Sequence, residues 1–565
     1  MGDSRLSNDD IARMAGVKPS SVSNWKKRHS DFPEPDQETR YAADEIARWL
    51  TRRRIPANVR LPGEGTDSTF ADRFRKALGG SRTGDEASHR PPVSAARPVP
   101  DSEWKPPSDL WNELEKRRGA ADMDAYEELV IALLHLHRHA RPHWAALVRA
   151  ANEPSPDRIG HLLTNILAQH RPRHRGVAEA LRRIRPVLWS DWQLAEIVRI
   201  LDQACSGAPG DARPAARTAI TCRFLLDRFA TADRVRGAEF YTPDHLVRLM
   251  VRLLDPKPGD HVHDPCCGNG SLLAGAAAYV EQRSGESQSL TITGQALGER
   301  SLRLAKLNLA IHGTNPEGKL RRADPLRKDL HQEQRFDVIL ANPPFNKSHW
   351  SQGDPAGDPR WRYGAPPQHN ANFAWLQHIA GKLSSQGRAA VLMPNVAAVS
   401  ASEQEAAIRA GMVKDGVVEA VIMLPEQLFR ATPVPITLWL LRRRPRQESG
   451  RVLFIDARTL GAKADRAHRV LRDDDIGRIV GACDEWRRLG AAYTGIAGFS
   501  ASATKEMIEA DGRVLAPNRY VVPERHSDAQ ADQRIRELHA ELARLREEAA
   551  VIDAHVDHAL KGVFG

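Results

Sequence analysis

The sequence predicts an α/β protein built around a doubly wound, mainly parallel β-sheet. Beyond Gly237, short apolar runs of strand length recur, and segments with the apolar spacing of helices fall between most of them. This alternation is typical of parallel strands joined by crossover helices. The strand candidates are HVHD, LTITGQ, FDVILA, RAAVLMP, VEAVIMLP and ITLWLLRR. A chain of 565 residues has room for roughly three or four domains, so further modules are expected beside the sheet.

Residues 1–57 are predicted to form a winged helix-turn-helix domain. Ala12, Gly16 and Val22 have the spacing of a small residue at a helix crossing, a glycine in the turn and an apolar anchor on the second helix. DFPEP and RYAADEIARWL then resemble a short wing and a closing helix. The recognition helix is expected to present five polar residues to DNA: Ser20, Ser21, Asn24, Lys26 and Lys27. The alternative is that the module docks onto a protein.

The next two segments differ in composition. Residues 58–107 are rich in Gly, Ser, Pro and Arg and poor in periodic apolar residues, so a flexible linker is expected. Residues 108–236 carry apolar residues at helical spacing, as in YEELVIALLHLHRHA, and predict a helical domain. The basic run HRPRHRGVAEALRRIRP within it is either a phosphate-binding surface or a solvated helix face.

The predicted sheet domain occupies residues 237–525, and residues 526–565 predict a coiled-coil helix. Its apolar residues are spaced alternately three and four apart, which is a coiled-coil seam and not the broader stripe of a helix lying on its own domain. They are Ile535, Leu538, Leu542, Leu545, Ala549, Ile552 and Val556. The partner helix is supplied by another protein, by a second copy or by this chain itself.

Composition indicates which kind of partner and which cellular location to expect. Lys and Arg total 82 against 72 Asp and Glu, a formal net charge of +10, which favours a polyanionic partner without identifying it. The 5 cysteines contain no CxxC pair, so neither a disulfide framework nor a metal site is indicated, and a cytoplasmic location is expected. The N-terminus lacks the pattern of a signal sequence and no apolar run is long enough to span a bilayer, so no membrane association is expected.

Two motifs stand at the carboxyl ends of predicted strands, where sheets of this class bind ligands. In HDPCCGNGSLL, Asp264 closes the first strand, and Gly268 and Gly270 allow close approach of the backbone to a ligand. Ser271 then opens a helix whose N-terminus favours negative groups. Alone, such a loop serves either a dinucleotide or tight strand–helix packing. ANPPF follows a later strand, and EFYTP precedes the first one, so three motifs occur in order.

Together these motifs resemble the N6-adenine DNA methyltransferases, specifically the modification subunit of type I restriction-modification systems. The resemblance runs from about Arg171 to the C-terminus and is carried by EFYTP, DPCCGNGSLL, LAKLNLAIHG, ANPPF, NFAWLQHI, GRAAVLMPN, LPEQLF, VLFIDAR and LAPNRYV. It implies the class I S-adenosylmethionine-dependent methyltransferase fold and methylation of adenine N6 in double-stranded DNA. The N-terminal helix-turn-helix is not part of that family's common architecture.

The resemblance also implies roles for individual residues. S-adenosylmethionine would be held by residues of two motifs: Phe240, Tyr241, Thr242 and Pro243, and Asp264, Pro265, Gly268, Gly270 and Ser271. Asp324 of RADPL would lie beside the cofactor's adenine. The target base would be held by Asn342, Pro343, Pro344 and Phe345.

The chemistry of adenine accounts for the residue types in ANPPF. Its N6 amine is a poor nucleophile because the lone pair is delocalised into the ring, so a catalyst must accept hydrogen bonds from its N–H groups. Asn342 offers a side-chain oxygen, and the fixed φ angles of the prolines hold the Pro343 carbonyl clear of the sheet as a second acceptor. Phe345 offers an apolar face for a base flipped from the duplex. Termination of the strand, the alternative, needs one proline and no aromatic residue.

One position departs from the family pattern. The strand before LAKLNLAIHG normally ends in an acidic residue that binds the cofactor ribose, and here Ala296 stands at that point. Glu299, three residues on, is the candidate substitute. Losing a charged acceptor typically costs about 1.5–3 kcal/mol, so cofactor affinity is expected to depend on whether Glu299 reaches.

Two other functions are compatible with the same residues. Methylation of a protein glutamine amide also uses an Asn-Pro-Pro-aromatic motif, although the long C-terminal extension and the basic modules favour DNA. A DNA-binding regulator with an inactive methyltransferase fold is suggested by Ala296 alone. In the resembled family the C-terminal helical region packs against a specificity subunit, so such a partner, or self-association, is expected of the coiled-coil seam.

Overall fold

The computed structural model describes most of the chain. It covers residues 5–53 and 241–522 with short gaps, 69–74 except 72 and 73, 105–232 except 173 and 207–213, and 536–549 except 537 and 548. The chain divides into two compact units, Met1–Pro98 and Val99–Gly565. Within the described residues, no helix is both long enough and apolar enough to cross a membrane.

The N-terminal unit is small and aromatic-rich. Its elements are β1 (Arg5–Leu6), α1 (Asn8–Ala15), β2 (Tyr41–Ala42) and α2 (Ala43–Thr51), and β1 pairs with β2 in antiparallel fashion. Ser7 precedes α1, and its hydroxyl accepts from the Asp10 N–H (3.2 Å) while its own N–H donates to the Asp10 carboxylate (3.1 Å). Trp25 packs against Trp49 and Phe70, with ring centroids 5.6 and 5.4 Å away. These contacts give the unit a core of its own. Phe70 and Phe74 are buried in that core, so the prediction of a flexible linker over residues 58–107 is wrong at these two positions.

The predicted DNA-contacting residues of this unit are described only in part. Ala12 and Val22 are buried, as the helix-turn-helix pattern requires. Lys26 and Lys27 are exposed, and the Lys26 ammonium donates to the Tyr41 hydroxyl (3.2 Å). Four residues of the pattern lie outside the described residues: Gly16, Ser20, Ser21 and Asn24. DNA contact by this unit therefore stays a prediction.

A helical region precedes the sheet. Its helices are α3 (Leu110–Arg117), α4 (Met123–His139), α5 (Arg141–Ala151), α6 (Ile159–Gln169), α7 (Arg175–Leu181), α8 (Asp191–Cys205) and α9 (Pro214–Ala232). α4 is buried along most of its length because it is apolar on nearly every side. α8 begins with a capping box in which Ser190 and Gln193 satisfy each other's backbone N–H groups.

The large sheet has nine strands. They are β3 (His261–Asp264), β4 (Thr291–Ala296), β5 (Leu320–Arg322), β6 (Phe336–Ala341), β7 (Leu383–Pro394), β8 (Val418–Met423), β9 (Ile436–Arg442), β10 (Arg451–Asp456) and β13 (Ser500–Thr504). Their order is β13-β10-β8-β9-β7-β6-β3-β4-β5. β9 and β13 run antiparallel to their neighbours, and the other neighbouring pairs are parallel. The predicted mainly parallel sheet is confirmed, and each strand candidate is a strand.

Helices cover both faces of this sheet. Their bounds are α10 (Asp244–Leu254), α11 (Ser271–Ser284), α12 (Glu299–Ile311), α13 (Asn372–Lys382), α14 (Val396–Val399), α15 (Glu403–Lys414), α16 (Asp473–Leu489) and α17 (Lys505–Ala510). α10, α11 and α16 share one core, and α13, α15 and α17 share the other. On β6, Val338 and Leu340 enter the first core, and Ile339 and Ala341 the second, because successive side chains of a strand alternate in direction.

α12 joins the helical region to the sheet. Ala305 and Leu309 pack into the sheet core, whereas other residues of α12 pack into the core of the helical region. On that side, Arg303 Nη2 donates to the Glu128 carboxylate (2.6 Å), and the His139 ring N–H donates to the Ala310 carbonyl (2.7 Å). The helical region is therefore fixed to the sheet through α12. A two-stranded pair, β11 (Ala462–Lys463) with β12 (Arg469–Val470), completes the described strands.

Candidate active site

Three predicted motif positions meet at one edge of the sheet. β6, β3 and β4 are parallel neighbours in that order, and they end at Ala341, Asp264 and Ala296. The ANPPF motif, the glycine loop and the Ala296 position are distant in sequence, and the topology brings them side by side. The carboxyl edge of a parallel sheet is where ligands bind in this class of fold.

The glycine loop leaves β3 through a tight turn. The Asp264 carboxylate accepts from the Cys266 N–H (2.9 Å), and the Cys267 N–H donates to the Gln295 carbonyl on β4 (2.8 Å). Gly268 and Gly270 have φ values of 48° and 78°, which glycine adopts without a steric penalty. The turn is thus held by its own hydrogen bonds and by β4.

The end of this loop is set by packing against α12. A Cβ on Gly270 would lie 3.2 Å from the Cα of Ala305, so a larger residue would push the loop away from that helix. The Asn269 side chain accepts from the N–H (3.2 Å) and hydroxyl (2.7 Å) of Ser271, where α11 begins. Glycine is therefore required at position 270 for close packing against α12, whether or not it also allows a ligand to approach the backbone.

Asp264 provides a test of whether the loop suits the expected cofactor. Its side chain is buried, and burial raises the pKa of Asp264 to about 7, against hydrogen bonding from Cys266, which lowers it. An ionised carboxylate in this position is stabilised by a nearby positive charge. A ligand that carries a sulfonium and an ammonium group supplies such charge, so the residues present fit S-adenosylmethionine.

Asn342 carries an unsatisfied buried acceptor. It directly follows β6 and is 4% exposed, and its Nδ2 donates to the Thr242 hydroxyl (3.1 Å). Its Oδ1 is buried and has no hydrogen-bond partner among the described residues. Leaving a buried acceptor unpaired typically costs about 1–3 kcal/mol, so this oxygen is available to accept a hydrogen bond from a further donor.

An aromatic pair includes the last residue of the ANPPF motif. Phe345 is half-buried, and its ring centroid lies 6.4 Å from that of Phe429, with the ring planes 85° apart. Phe429 belongs to the LPEQLF segment after β8, which was noted as part of the family resemblance without a role. The structure thus places a second aromatic residue against Phe345 of the predicted base-binding motif.

The EFYTP motif contacts both the helical region and the ANPPF motif. Tyr241 packs against the core of the helical region, and Thr242 is buried against Asn342. Pro243 precedes α10, and its carbonyl accepts from the Leu246 N–H (2.9 Å). Phe240, predicted to bind the cofactor with them, lies outside the described residues.

Asp324 is bound by the loop that follows ANPPF. Its carboxylate accepts from Lys347 Nζ (2.8 Å), and the nearby Arg327 donates to the carbonyls of His349 (2.6 Å) and Trp350 (3.3 Å). The segment predicted to meet the cofactor's adenine is therefore tied to the segment that follows the base-binding motif. Lys347 was not predicted, because no local sequence pattern pairs it with Asp324.

The end of β4 lacks an acid, and Glu299 has other partners. Ala296 is 2% exposed, so its methyl group lies inside the sheet edge. Glu299 begins α12, and its carboxylate lies 3.4 Å from Arg303, 3.9 Å from Arg322 and 4.0 Å from Arg183. Its side chain is 55% exposed, so these ion pairs are weak and leave it able to move. A role for Glu299 in cofactor binding stays a prediction.

Comparison with known protein sequences supports the resemblance to the N6-adenine DNA methyltransferases. The family model described as N-6 DNA methylase matches residues 222–529. The chain is 37% identical over 298 residues to the type I restriction enzyme HindI methylase subunit of Haemophilus influenzae, a match that covers 53% of this chain and 67% of that protein. It is 34% identical over 309 residues to the MjaIX methylase subunit of Methanocaldococcus jannaschii, covering 53% of this chain and 54% of that one. The second match thus spans about half the length of that relative.

Solved structures share the fold. A type I restriction-modification methyltransferase subunit from Streptococcus thermophilus superposes with a TM-score of 0.56 at 22% identity, covering 73% of this chain and 98% of that one. A modification subunit of a putative type I restriction enzyme from Vibrio vulnificus gives 0.52 at 18% identity, covering 74% and 96%. At these identities the likeness concerns the fold.

Proposed function

The chain belongs to the N-6 DNA methylase family, and from that premise we propose that it methylates N6 of adenine in double-stranded DNA, as the modification subunit of a type I restriction-modification system. The observation that carries the proposal is the Asn342 oxygen, buried and without a partner at the carboxyl edge of the sheet. An amine of a base that has left the duplex supplies the donor that this acceptor lacks.

Two acceptors activate the amine. When Asn342 Oδ1 and the Pro343 carbonyl accept hydrogen bonds from both N6 protons, electron density is drawn back toward nitrogen and its lone pair becomes available for attack. Pro343 is buried and, like Pro344, has a fixed φ angle, so the Pro343 carbonyl does not have to be reoriented in the transition state.

Phe345 and Phe429 stabilise the flipped base. Leaving the duplex costs the base a few kcal/mol of stacking. Stacking on an aromatic side chain returns about 1–3 kcal/mol, and the perpendicular arrangement of the two rings provides one face and one edge. We assign Phe429 to the base together with Phe345.

The cofactor residues are assigned to the same edge of the sheet. S-adenosylmethionine, when bound, supplies an electrophilic methyl group on a sulfonium. The residues that would hold it are Phe240, Tyr241, Thr242, Pro243, Asp264, Pro265, Gly268, Gly270, Ser271, Glu299 and Asp324. Among them, Asp264 offers a buried carboxylate that a positive ligand group stabilises.

Replacement of Asn342 tests the activity. In source cells from which the gene has been deleted and then restored, Asn342→Ala is expected to lower N6-methyladenine in DNA by at least about 10²-fold, because one of two acceptors is lost. Sequencing that detects N6-methyladenine gives the readout. The purified variant should bind S-adenosylhomocysteine within about twofold of the wild type by calorimetry, because Asn342 is assigned to the base.

Asn165→Ala provides the matched control, since Asn165 is exposed on α6, and this variant should restore methylation fully. Near-normal methylation by Asn342→Ala contradicts the mechanism. DNA without gene-dependent N6-methyladenine contradicts the function itself, and labelled methyl recovered in protein instead identifies a protein methyltransferase.

The C-terminal segment is proposed to bind a specificity subunit. Residues 538–547 are helical, and Leu538, Leu542 and Leu545 are 47–48% exposed. Apolar residues spaced four and three apart on one side of a helix favour a coiled-coil partner. Type I systems combine methylase subunits with other subunits, so a helix of the specificity subunit is the occupant we assign.

The N-terminal unit is proposed to add DNA contacts. Lys27 is exposed, and Lys26 is exposed while it touches Tyr41. With the formal net charge of +10 on the whole chain, these lysines favour contact with the phosphate groups of DNA.

A further inference from the structure

The side chain that fixes the Asn342 amide comes from a distant motif. Asn342 Nδ2 donates to the Thr242 hydroxyl at 3.1 Å, across 100 residues of sequence. Both residues are almost fully buried, with 5% of Thr242 and 4% of Asn342 exposed. The bond is thus shielded from water, where a hydrogen bond between side chains orients its partners most strongly.

The amide has to face in one direction to serve the reaction. Its oxygen accepts hydrogen bonds and its nitrogen donates them, while the two ends have nearly the same shape. Because the N6 amine donates, only the orientation that presents Oδ1 to the base is productive. In the structure, the bond from Nδ2 to Thr242 leaves Oδ1 as the end without a partner.

The Thr242 hydroxyl is held at a rigid place in the chain. Tyr241 on one side packs into the core of the helical region. Pro243 on the other side limits the backbone of Thr242 to extended conformations, and its carbonyl accepts from the N–H groups of Leu246 (2.9 Å) and Val247 (3.0 Å) in the first turn of α10. The backbone that carries the hydroxyl is therefore fixed from both directions.

We propose that Thr242 is a positioning residue for methyl transfer, which orients the Asn342 amide so that its oxygen faces the target amine. The inference rests on the proposed function and changes one assignment within it. Family resemblance places Thr242 with the cofactor, whereas its side-chain contact assigns it to the residue that binds the base. EFYTP thereby joins the cofactor site to the base site.

Thr242→Val and Thr242→Ser separate the two assignments. Valine keeps the shape of the threonine side chain and removes its hydroxyl. We therefore expect kcat for DNA methylation to fall about 10- to 100-fold, the size of effect that a misplaced catalytic group produces. The KM for S-adenosylmethionine should change little. Calorimetric affinity for S-adenosylhomocysteine should stay within about twofold of the wild type. Serine keeps the hydroxyl and should restore most of kcat.

The assay uses the full-length chain with any subunits that co-purify, and DNA from gene-deleted cells as substrate. Thr218→Val serves as the matched control, since it removes a buried hydroxyl that is bonded to His137 of the helical region at 2.8 Å and not to Asn342. It should change thermal stability as Thr242→Val does, without the loss of kcat. This comparison distinguishes a positioning role from a general loss of stability.

Three results would overturn the proposal. Unchanged kcat in Thr242→Val shows that the hydroxyl does not orient the amide. A loss of cofactor affinity as large as the loss of kcat returns Thr242 to the cofactor, and failure of Thr242→Ser to restore kcat shows that the hydroxyl is not the active feature. Methylation by the wild type is measured first, so failure of the proposed function is recognised separately.

Discussion

At the scale of single residues, we expect recognition of the cofactor ribose to depend on positions 296 and 299. Ala296 ends β4 with its methyl group buried, and Glu299 is engaged by arginine side chains at the start of α12. If no acid reaches the ribose, Ala296→Glu should tighten cofactor binding by up to about 1.5–3 kcal/mol, or roughly 10- to 100-fold, because a charged acceptor is added. Calorimetry with S-adenosylhomocysteine measures this.

Glu299→Ala is the companion variant. If no acid reaches the ribose, Glu299→Ala should leave cofactor affinity unchanged, since it removes only exposed ion pairs. A marked loss of affinity on Glu299→Ala, together with no gain from Ala296→Glu, would show that the acid has only shifted three residues along the chain. Arg322→Ala is a control for loss of the ion pair alone.

Residues within one motif were easier to predict than contacts between motifs. Asn342 and Asp264 were identified from short patterns because both lie at the carboxyl end of a strand: Asn342 directly follows β6, and Asp264 is the last residue of β3. The contact of Asn342 with Thr242 depends on how α10 packs beside β6, which no local pattern contains. The Lys347 contact with Asp324 is of the same kind.

At the scale of secondary-structure elements, β3, β4, β6, β7, β8 and β9 were predicted as strands, whereas β5, β10 and β13 were not. β6 and β8 are almost wholly buried, so their sequences are apolar apart from Asp337 and Glu419. β5 has 3 residues and β13 reads SASAT, and both are edge strands, whose sequences give little apolar signal. β9 runs antiparallel, and a local apolar pattern does not encode strand direction.

Loss of the C-terminal helix should abolish assembly with a partner subunit without affecting cofactor binding. Truncation after Asp528 removes Leu538, Leu542 and Leu545, which are exposed, and leaves the sheet and its loops complete. Affinity for S-adenosylhomocysteine should therefore be retained, while association with a specificity-type subunit is lost. Co-purification and light scattering measure assembly.

Polar replacement of the same leucines is the matched control for truncation. Leu542→Glu with Leu545→Glu keeps the helix and places charge in the seam, so it should also abolish association. A truncated chain that assembles as the full-length chain does would show that the leucines have no role in the partner interface.

At the scale of the whole molecule, the N-terminal unit should change how the protein binds DNA. Deletion of residues 1–57 is expected to weaken DNA binding and to flatten its dependence on salt, because the phosphate contacts of Lys26 and Lys27 are lost. Each lost phosphate contact lowers the salt slope by about 0.9. Fluorescence anisotropy at salt concentrations from about 50 to 200 mM gives the slope of log affinity against log salt concentration.

Lys26→Ala with Lys27→Ala tests the assigned contacts without removing the unit. The double variant should account for most of the change in slope, since both side chains are exposed. A slope that stays at the wild-type value after the deletion would contradict DNA contact and support protein docking by the N-terminal unit instead.

Stability of the sheet-containing unit should decrease in mild acid, because several of its histidines are buried in the neutral form. Burial lowers the pKa of His312 to about 4 and that of His245 to about 3. The pKa of His378 is also lowered by burial, although Asp329 opposes the shift. Unfolding exposes these rings, whose ordinary pKa is about 6.5, so the unfolded state binds more protons below that pH. Their stabilising contribution is complete above about pH 6.5 and is lost progressively as the pH falls toward the folded-state values.

His378 allows this effect to be measured at one residue. It is 2% exposed on α13, and neither ring nitrogen has a hydrogen-bond partner among the described residues, so leucine removes the titration without orphaning a partner. Relative to the wild type, His378→Leu should gain up to about 2 kcal/mol of stability between roughly pH 7.5 and pH 5, read from the transition midpoint in thermal unfolding. The contributions of the other buried groups cancel in this difference. His161→Leu, at an exposed position on α6, is the control and should keep the wild-type pH profile of stability. If the profile of His378→Leu is parallel to that of the wild type, His378 binds protons equally in the folded and unfolded states and the prediction is wrong.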